Sequence, residues 1–117
     1  MRADPGGVVG EVGSVLVALA DPTRRRLLDL LAAQGAATAT TLAGGLPVSR
    51  QAIVKHLAVL DGAGLVVGCR VGREVRYSLR PAGLDATTRW MSSLAADWDR
   101  RLAVVKRAAE AAGRDVA

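Results

Sequence analysis

Several residue types are scarce in this sequence of 117 residues. It has one cysteine and one histidine, which excludes a disulfide framework and a zinc-finger type of metal site within the chain. Aromatic residues make up 3% of the chain and phenylalanine is absent, so the core has to be built from Leu, Val and Ala. Without an aromatic platform on which bases could stack, RNA is a poor candidate partner.

Long apolar runs are also lacking. The segment VVGEVGSVLVALA is interrupted by Glu11, and no positively charged region leads into a continuous hydrophobic one. The segment is also too short to cross a bilayer. We therefore expect no secretory signal, no membrane partner, and one soluble, cytoplasmic domain over residues 1–117.

Motifs for catalysis are missing as well. The chain contains no Ser/His/Asp arrangement in a supporting context, no glycine-rich phosphate loop and no plausible pair of carboxylates. We expect that the protein is not an enzyme and that it has no catalytic, cofactor-binding or metal-binding residues.

The positive charge is concentrated in one segment. The chain carries 16 Lys and Arg against 11 Asp and Glu, a net charge of +5. Residues 49–80 contribute +4, whereas residues 1–48 contribute zero and residues 81–117 contribute +1. A local excess of basic side chains favours a polyanion as the partner, although many Arg-rich proteins bind none.

The spacing of apolar residues predicts the order α-α-α-α-β-β-α. The predicted helices cover residues 8–20, 22–34, 38–43, 49–61 and 81–112. The predicted caps of the inner helices are Asp21, Gly35, Thr38 and Ser49. Two runs that favour strands, 65–71 and 74–79, are joined at Gly72-Arg73 and predict a hairpin. The expected fold class is mainly α with a small β-hairpin wing.

The first and last helices each carry an apolar face. In the last helix these residues recur at intervals of seven, as in a coiled coil. Left exposed, such faces would be large apolar patches on a small domain, so we expect them to meet across the two-fold axis of a homodimer. The predicted interface residues are Val8, Val12, Leu16, Leu19, Leu84, Met91, Trp98, Leu102 and Val105.

Residues 46–66, LPVSRQAIVKHLAVLDGAGLV, combine an apolar helical seam with a cluster of long polar side chains near the start of the helix. The helix over 38–43, the connector GGLPV and the helix that follows Ser49 together form a helix-turn-helix over residues 38–61. In such a motif the second helix, called the recognition helix, lies in the major groove of DNA.

Three segments, LADPTRRRLLDLL, SRQAIVKHLAVLDGAGLV and RVGREVRYSL, cover most of residues 18–80. Together they resemble the ArsR-type winged helix-turn-helix transcription repressors of bacteria. The resemblance implies a homodimer, formed by the first and last helices, that places two recognition helices in successive major grooves of an operator and changes its DNA affinity on binding a ligand or metal. It also implies that Ser49, Arg50, Gln51, Val54 and Lys55 face the groove and that Arg73 lies at the wing tip.

The chemistry of these side chains fits duplex DNA. Arg50 can pair with guanine, Gln51 with adenine, and Val54 can pack on a thymine methyl group. Ser49 can cap the helix or donate to a phosphate. Arg70, Arg73 and Arg76 would project from the wing (residues 65–79) towards the DNA backbone or minor groove. Any one arginine could equally be a solvated side chain, and the alternative function is a winged-helix module that binds protein.

Three residues could serve in sensing. His56 could be a metal ligand or pH switch, but a place at the edge of the core fits better, because no ligand set accompanies it. In the family that this chain resembles, metal-sensing members carry cysteines on the helix-turn-helix or His/Asp pairs on the last helix. Neither set is present here, so this chain resembles the non-metal-sensing subset. Cys69 is expected to be a buried or half-buried small hydrophobe, with a redox sensor as the alternative. Trp90, off the heptad seam, is expected in the core rather than in an effector cleft. The sequence leaves open whether the protein responds to an unknown small-molecule or redox effector.

Overall fold

The computed structural model describes residues 5–115, with five helices and three strands in this range. The helices are α1 (Pro5–Leu19), α2 (Pro22–Gln34), α3 (Ala39–Ala43), α4 (Arg50–Gly62) and α5 (Pro81–Asp115). The strands are β1 (Ala36–Thr38), β2 (Val66–Val71) and β3 (Glu74–Leu79). The chain divides into two compact units, one up to residue 87 and one from residue 88 onwards, and the second is the greater part of α5.

The mainly helical fold with a β wing is confirmed, with one correction. The sheet has three antiparallel strands in the order β1-β3-β2. The added strand, Ala36–Thr38, pairs with the edge of β3 that β2 leaves free. A strand of three residues is too short to show an alternating pattern in the sequence. β1 forms instead by pairing with β3, which is distant in the sequence. In this pairing the buried residue Ala37 lies opposite Tyr77. The observed order is therefore α-α-β-α-α-β-β-α.

The core lies in the first unit and consists of aliphatic side chains, as the shortage of aromatic residues requires. α4 contributes Ile53, Leu57 and Leu60, which share one face of the helix and are all 0% exposed. Leu27 and Leu31 of α2 are equally buried, whereas Leu28 and Leu30 are only partly buried against the same cluster. This packing fixes which face of α4 remains on the surface.

The start of α5 packs directly on the loop that follows α4. A Cβ atom at Gly83 would lie 2.9 Å from the carbonyl oxygen of Gly64, so any larger residue there would force the two segments apart. Among residues 5–115, no helix combines the length and the apolar character that crossing a membrane requires.

The predicted caps of α2 are confirmed. The Asp21 carboxylate accepts hydrogen bonds from the backbone N–H groups of Thr23 at 2.8 Å and Arg24 at 3.1 Å. At the other end, Gly35 has a φ of 82° and donates its N–H to the carbonyl oxygen of Leu31. The first of these caps is a titratable carboxyl group, so we expect it to make the stability of the protein depend on pH.

The backbone N–H of Arg24 is the main cause that lowers the pKa of Asp21 below its ordinary value of 3.8, against an opposing effect of burial. A carboxyl group whose pKa is lower in the folded state stabilises the fold above its unfolded pKa and loses this contribution as the pH falls through the folded one. Asp21→Asn keeps an oxygen acceptor but does not titrate. In urea titrations at successive pH values, we expect the free energy of unfolding of wild type to fall more steeply below pH 3.8 than that of Asp21→Asn. Equal acid slopes would contradict this role for Asp21.

Candidate nucleic-acid interface

The outer face of α4 carries the side chains expected to contact DNA bases. Gln51, Val54 and Lys55 are exposed, and they lie opposite the buried face that Ile53 and Leu57 form. Val54 is 37% exposed, although it is an aliphatic residue. The helix therefore presents an amide, a methyl surface and an ammonium group side by side to solvent.

Ser49 caps this helix. Its backbone is extended, with φ −70° and ψ 158°, and its Oγ accepts a hydrogen bond from the N–H of Ala52 at 3.1 Å. That bond uses a lone pair of the hydroxyl oxygen and leaves the hydroxyl proton free. Capping and donation to a phosphate are thus compatible roles for the same side chain.

Arg50 is tied to the first helix of the helix-turn-helix. Its Nε donates to Oγ1 of Thr40 in α3 at 3.2 Å. Since a guanidinium carries five N–H donors, the two terminal amino groups remain available to a partner. Arg50 therefore connects α3 with α4 while it still presents donors outward.

A cleft of about 590 Å³ separates the helix-turn-helix from the wing. Its lining residues are Thr38, Ala39, Thr40, Thr41, Arg50, Val54, Arg73, Glu74, Val75 and Tyr77. The hydroxyl groups around α3 were not predicted as part of the site, apart from Thr38 as a cap. That cap is confirmed, since Oγ1 of Thr38 accepts from the N–H of Thr41 at 3.1 Å. The run TATT over residues 38–41 was the signal in the sequence.

The three wing arginines do not form one surface. Arg70 lies opposite Val75, and Arg76 lies opposite Cys69, in the register of β2 with β3. Because side chains alternate between the two faces of a sheet, Arg70 and Arg76 belong to opposite faces. Arg76 also pairs with Glu74 at 3.8 Å, an exposed ion pair that contributes little to stability.

Arg73 alone of these three lines the cleft, at the tip of the wing. It follows Gly72, whose φ of 65° suits the first position of a two-residue hairpin turn. Arg50 lines the same cleft, as does the carboxylate of Glu74, and a polyanion that spans α4 and the wing would contact both arginines.

The two candidate sensing residues differ in burial. His56 is half-buried, as predicted for the edge of the core, and its Nδ1 lies 3.3 Å from Nη1 of Arg24. Cys69 is exposed, so the prediction of a buried or half-buried side chain is wrong, because it belongs to the outer face of the wing. Within the part of the chain that the structure describes, no three His, Cys, Asp or Glu residues come together as metal ligands would.

The residues predicted for a dimer interface differ in their surroundings. Those on α5 are exposed, namely Leu84, Met91, Trp98, Leu102 and Val105, and so is Leu16 on α1. Val12 is already buried within the single chain, at 4% exposed, and Leu19 packs against the core of that chain. The side chain of Val8 lies outside the described residues. Trp90 is 42% exposed rather than in the core, and it lines an apolar depression with Met91, Leu94, Ala95 and Trp98.

Comparison with known proteins relates this geometry to a family. A family model described as a helix-turn-helix domain matches residues 19–69. The transcriptional repressor SdpR of Bacillus subtilis (strain 168) is 36% identical over 80 residues, which cover 68% of this chain and 88% of SdpR.

Two solved structures share the fold. An ArsR-like transcriptional regulator from Rhodococcus sp. RHA1 is 47% identical, with a TM-score of 0.81 over 90% of this chain and 95% of that one. The homodimeric winged helix-turn-helix DNA-binding domain of Mb0332 from Mycobacterium bovis, a possible ArsR-family regulator, is 28% identical, with a TM-score of 0.61 over 87% of this chain and 92% of that one. Since SdpR is 36% identical over more than two thirds of this chain, and the Rhodococcus regulator shares the fold over 90% of it, the chain belongs to the ArsR family of winged helix-turn-helix transcriptional regulators and is a DNA-binding regulator of transcription.

Proposed function

We propose that the protein is a homodimeric repressor that binds an inverted-repeat operator through α4. The observation that carries this proposal is the exposed row of Gln51, Val54 and Lys55 beside a cleft that Arg50 and Arg73 line. A winged-helix module that binds protein would have less use for two arginines in such a cleft. The regulator acts in the cytoplasm on duplex DNA and is not an enzyme.

The side chains on α4 and at the wing tip contact either bases or phosphates in this proposal. Gln51 recognises adenine through its amide, and Val54 packs on a thymine methyl group. Ser49, Lys55 and Arg73 donate to phosphates and fix the register of the protein on the duplex. Arg50, held by Thr40, directs its terminal amino groups at a guanine edge or a neighbouring phosphate. Arg70 and Arg76 lie on opposite faces of the wing, so each would contact a different part of the DNA.

A second subunit is needed because one recognition helix makes too few contacts for a selective complex. The residues Met91, Trp98 and Val105 of α5 are 54%, 59% and 64% exposed, although each is large and apolar. A seam of this kind is stabilised when the same seam of a second copy covers it across a two-fold axis. The homodimeric state of Mb0332 and the repressor role named for SdpR support the same assembly and function here.

A footprint on the DNA upstream of the protein's own gene tests the operator, and transcription in vitro from that DNA tests repression. We expect protection of two half-sites and less transcript as protein is added. Protection accompanied by unchanged or increased transcript would overturn the repressor role. An absence of protection at this and other promoters would overturn operator binding.

We also place the protein in the non-metal-sensing subset of the family. His56 already bonds to a guanidinium, and Cys69 lies on the outer face of the wing. Addition of Zn²⁺, Ni²⁺ or arsenite should leave operator affinity unchanged in a fluorescence anisotropy titration. A stoichiometric, tight complex of any of these with the dimer, accompanied by release of DNA, would contradict this assignment.

A further inference from the structure

Thr40 of α3 supplies the hydrogen-bond acceptor for the side chain of Arg50. Oγ1 of Thr40 accepts from Nε of Arg50 at 3.2 Å, and both residues are exposed. Glu74, the carboxylate that lines the same cleft, pairs with Arg76 instead. Among the described side chains Arg50 forms no ion pair, so the hydroxyl of Thr40 is what orients its guanidinium.

This bond orients a side chain and not the helices that carry it. Leu42 of α3 and Ile53 of α4 are each 0% exposed and belong to the same hydrophobic core, so the two helices keep their positions without the bond. Arg50, in contrast, has a long side chain with many rotamers in water. Loss of the Thr40 hydroxyl therefore widens the range of directions of the guanidinium and leaves the backbone in place.

The use of Nε determines which donors Arg50 presents. A guanidinium can offer two parallel N–H groups either from Nε and one terminal nitrogen or from the two terminal nitrogens. Because Nε is bonded to Thr40, the second pair remains. Guanine presents two acceptors, O6 and N7, side by side in the major groove, and two parallel donors of one arginine match them.

A guanine edge requires a more exact orientation of the arginine than a phosphate does. Phosphate contacts are made by many kinds of donor and carry no sequence information, whereas the two acceptors of guanine lie in the plane of the base. Arg50 is the first residue of α4, the part of a recognition helix that contacts base edges. A guanidinium that Thr40 has already oriented loses less conformational freedom when it pairs with such an edge.

We propose that Thr40 is a positioning residue that sets the base preference of the operator complex, because it holds Arg50 with its two terminal nitrogens directed at O6 and N7 of a guanine. This inference rests on the operator binding proposed above, and it assigns Arg50 to a guanine rather than to a phosphate. Thr40 acts through Arg50, so its effect on base preference exists only while Arg50 is present.

The first experiment locates the guanine and measures the effect of Thr40. Operator duplexes with single base-pair changes are titrated with wild type and Arg50→Ala, and the pair at which Arg50→Ala loses discrimination is the one that Arg50 recognises. At that pair, Thr40→Val, which keeps the shape of the side chain without the acceptor, should lower the preference for guanine about threefold to tenfold. Thr40→Ser keeps the hydroxyl and should keep the preference. A loss in neither variant, or an equal loss in both, would overturn the proposal.

The second experiment combines the substitutions. In an Arg50→Ala protein the acceptor of Thr40 has no guanidinium to hold, so the addition of Thr40→Val should change operator affinity by less than about twofold. A further loss as large as the one that Thr40→Val causes in wild type would show that Thr40 acts independently of Arg50. That result would overturn the positioning role.

Thr41→Val is the matched control. Thr41 is exposed and lines the same cleft, but its Oγ1 accepts from Oγ1 of Thr38 and, among the described residues, has no bond to α4. Any loss of affinity in Thr41→Val should therefore be equal for the operator and for the duplex that lacks the guanine. A loss of guanine preference as large as that of Thr40→Val would contradict the specific role of Thr40.

The outcomes also separate this inference from the proposed function. A wild type without any operator preference would overturn operator binding and the inference with it. A wild type that prefers its operator, while Arg50→Ala changes discrimination at no base pair, would overturn the inference alone. If Thr40→Val fails to fold, as thermal unfolding would show, Thr40→Ala replaces it, since alanine also lacks the acceptor and favours helix.

Discussion

Trp98→Glu should convert the proposed homodimer into a monomer and reduce operator affinity by at least about a hundredfold, although no residue proposed to face DNA changes. Trp98 is 59% exposed at the centre of the α5 seam, where a second copy would cover it. A glutamate there places an unpaired charge against its symmetry mate in an apolar interface. Once the subunits separate, each half-site is bound independently and the gain from joint binding is lost. Sedimentation over a concentration series, together with operator titrations, measures both effects.

Ala96→Glu is the matched control for this variant. Ala96 is exposed and lies two residues before Trp98, about 200° away around the helix. The Ala96→Glu substitution introduces the same charge on the same helix but away from the seam. It should therefore leave both the assembly and the operator affinity as in wild type. A monomeric wild type, or a dimeric Trp98→Glu with full affinity, would refute the proposed assembly.

Gln51→Ala should weaken binding to the preferred operator by about 1–3 kcal/mol, a loss of roughly fivefold to 150-fold. The reason is that the amide pairs with one base edge, so its removal also relaxes the base preference at that position. Binding to random duplexes should change little. Titrations against the operator, single-base variants of it and a random duplex measure these effects separately.

Arg73→Ala provides the contrast, because Arg73 is assigned to a phosphate. It should weaken all duplexes to a similar extent and reduce the slope of log affinity against log salt by about one. If the two substitutions had the same effect on operator and random DNA, the assignment of α4 as the recognition helix and of the wing tip as a backbone contact would be wrong.

Local rules in the sequence were sufficient for the helices and their caps. Asp21, Thr38 and Ser49 each accept from a backbone N–H two or three residues later, so the signal and the structure lie within one turn. The same holds for the exposed side of α4, since a period of 3.6 residues places Gln51 opposite Ile53 once the buried face is known.

Features that depend on distant pairing were not predictable in this way. β1 exists because Ala36–Thr38 pairs with β3, some forty residues further along the chain. The separation of Arg70 from Arg76 follows from strand register, and the exposure of Cys69 follows from the face of the wing on which it lies. The bond between Arg24 and His56 joins residues that are 32 positions apart, and neither residue type predicts this contact.

Selection from a library of random duplexes tests the central claim most directly. The account predicts that the wild-type protein enriches an imperfect inverted repeat, with half-sites centred about 10–11 base pairs apart or a small multiple of that distance. The steep dependence of this binding on salt should reflect contacts from Lys and Arg to phosphates. Enrichment of a single unrepeated site, or of no motif at all, would contradict a dimer that recognises its operator through two copies of α4.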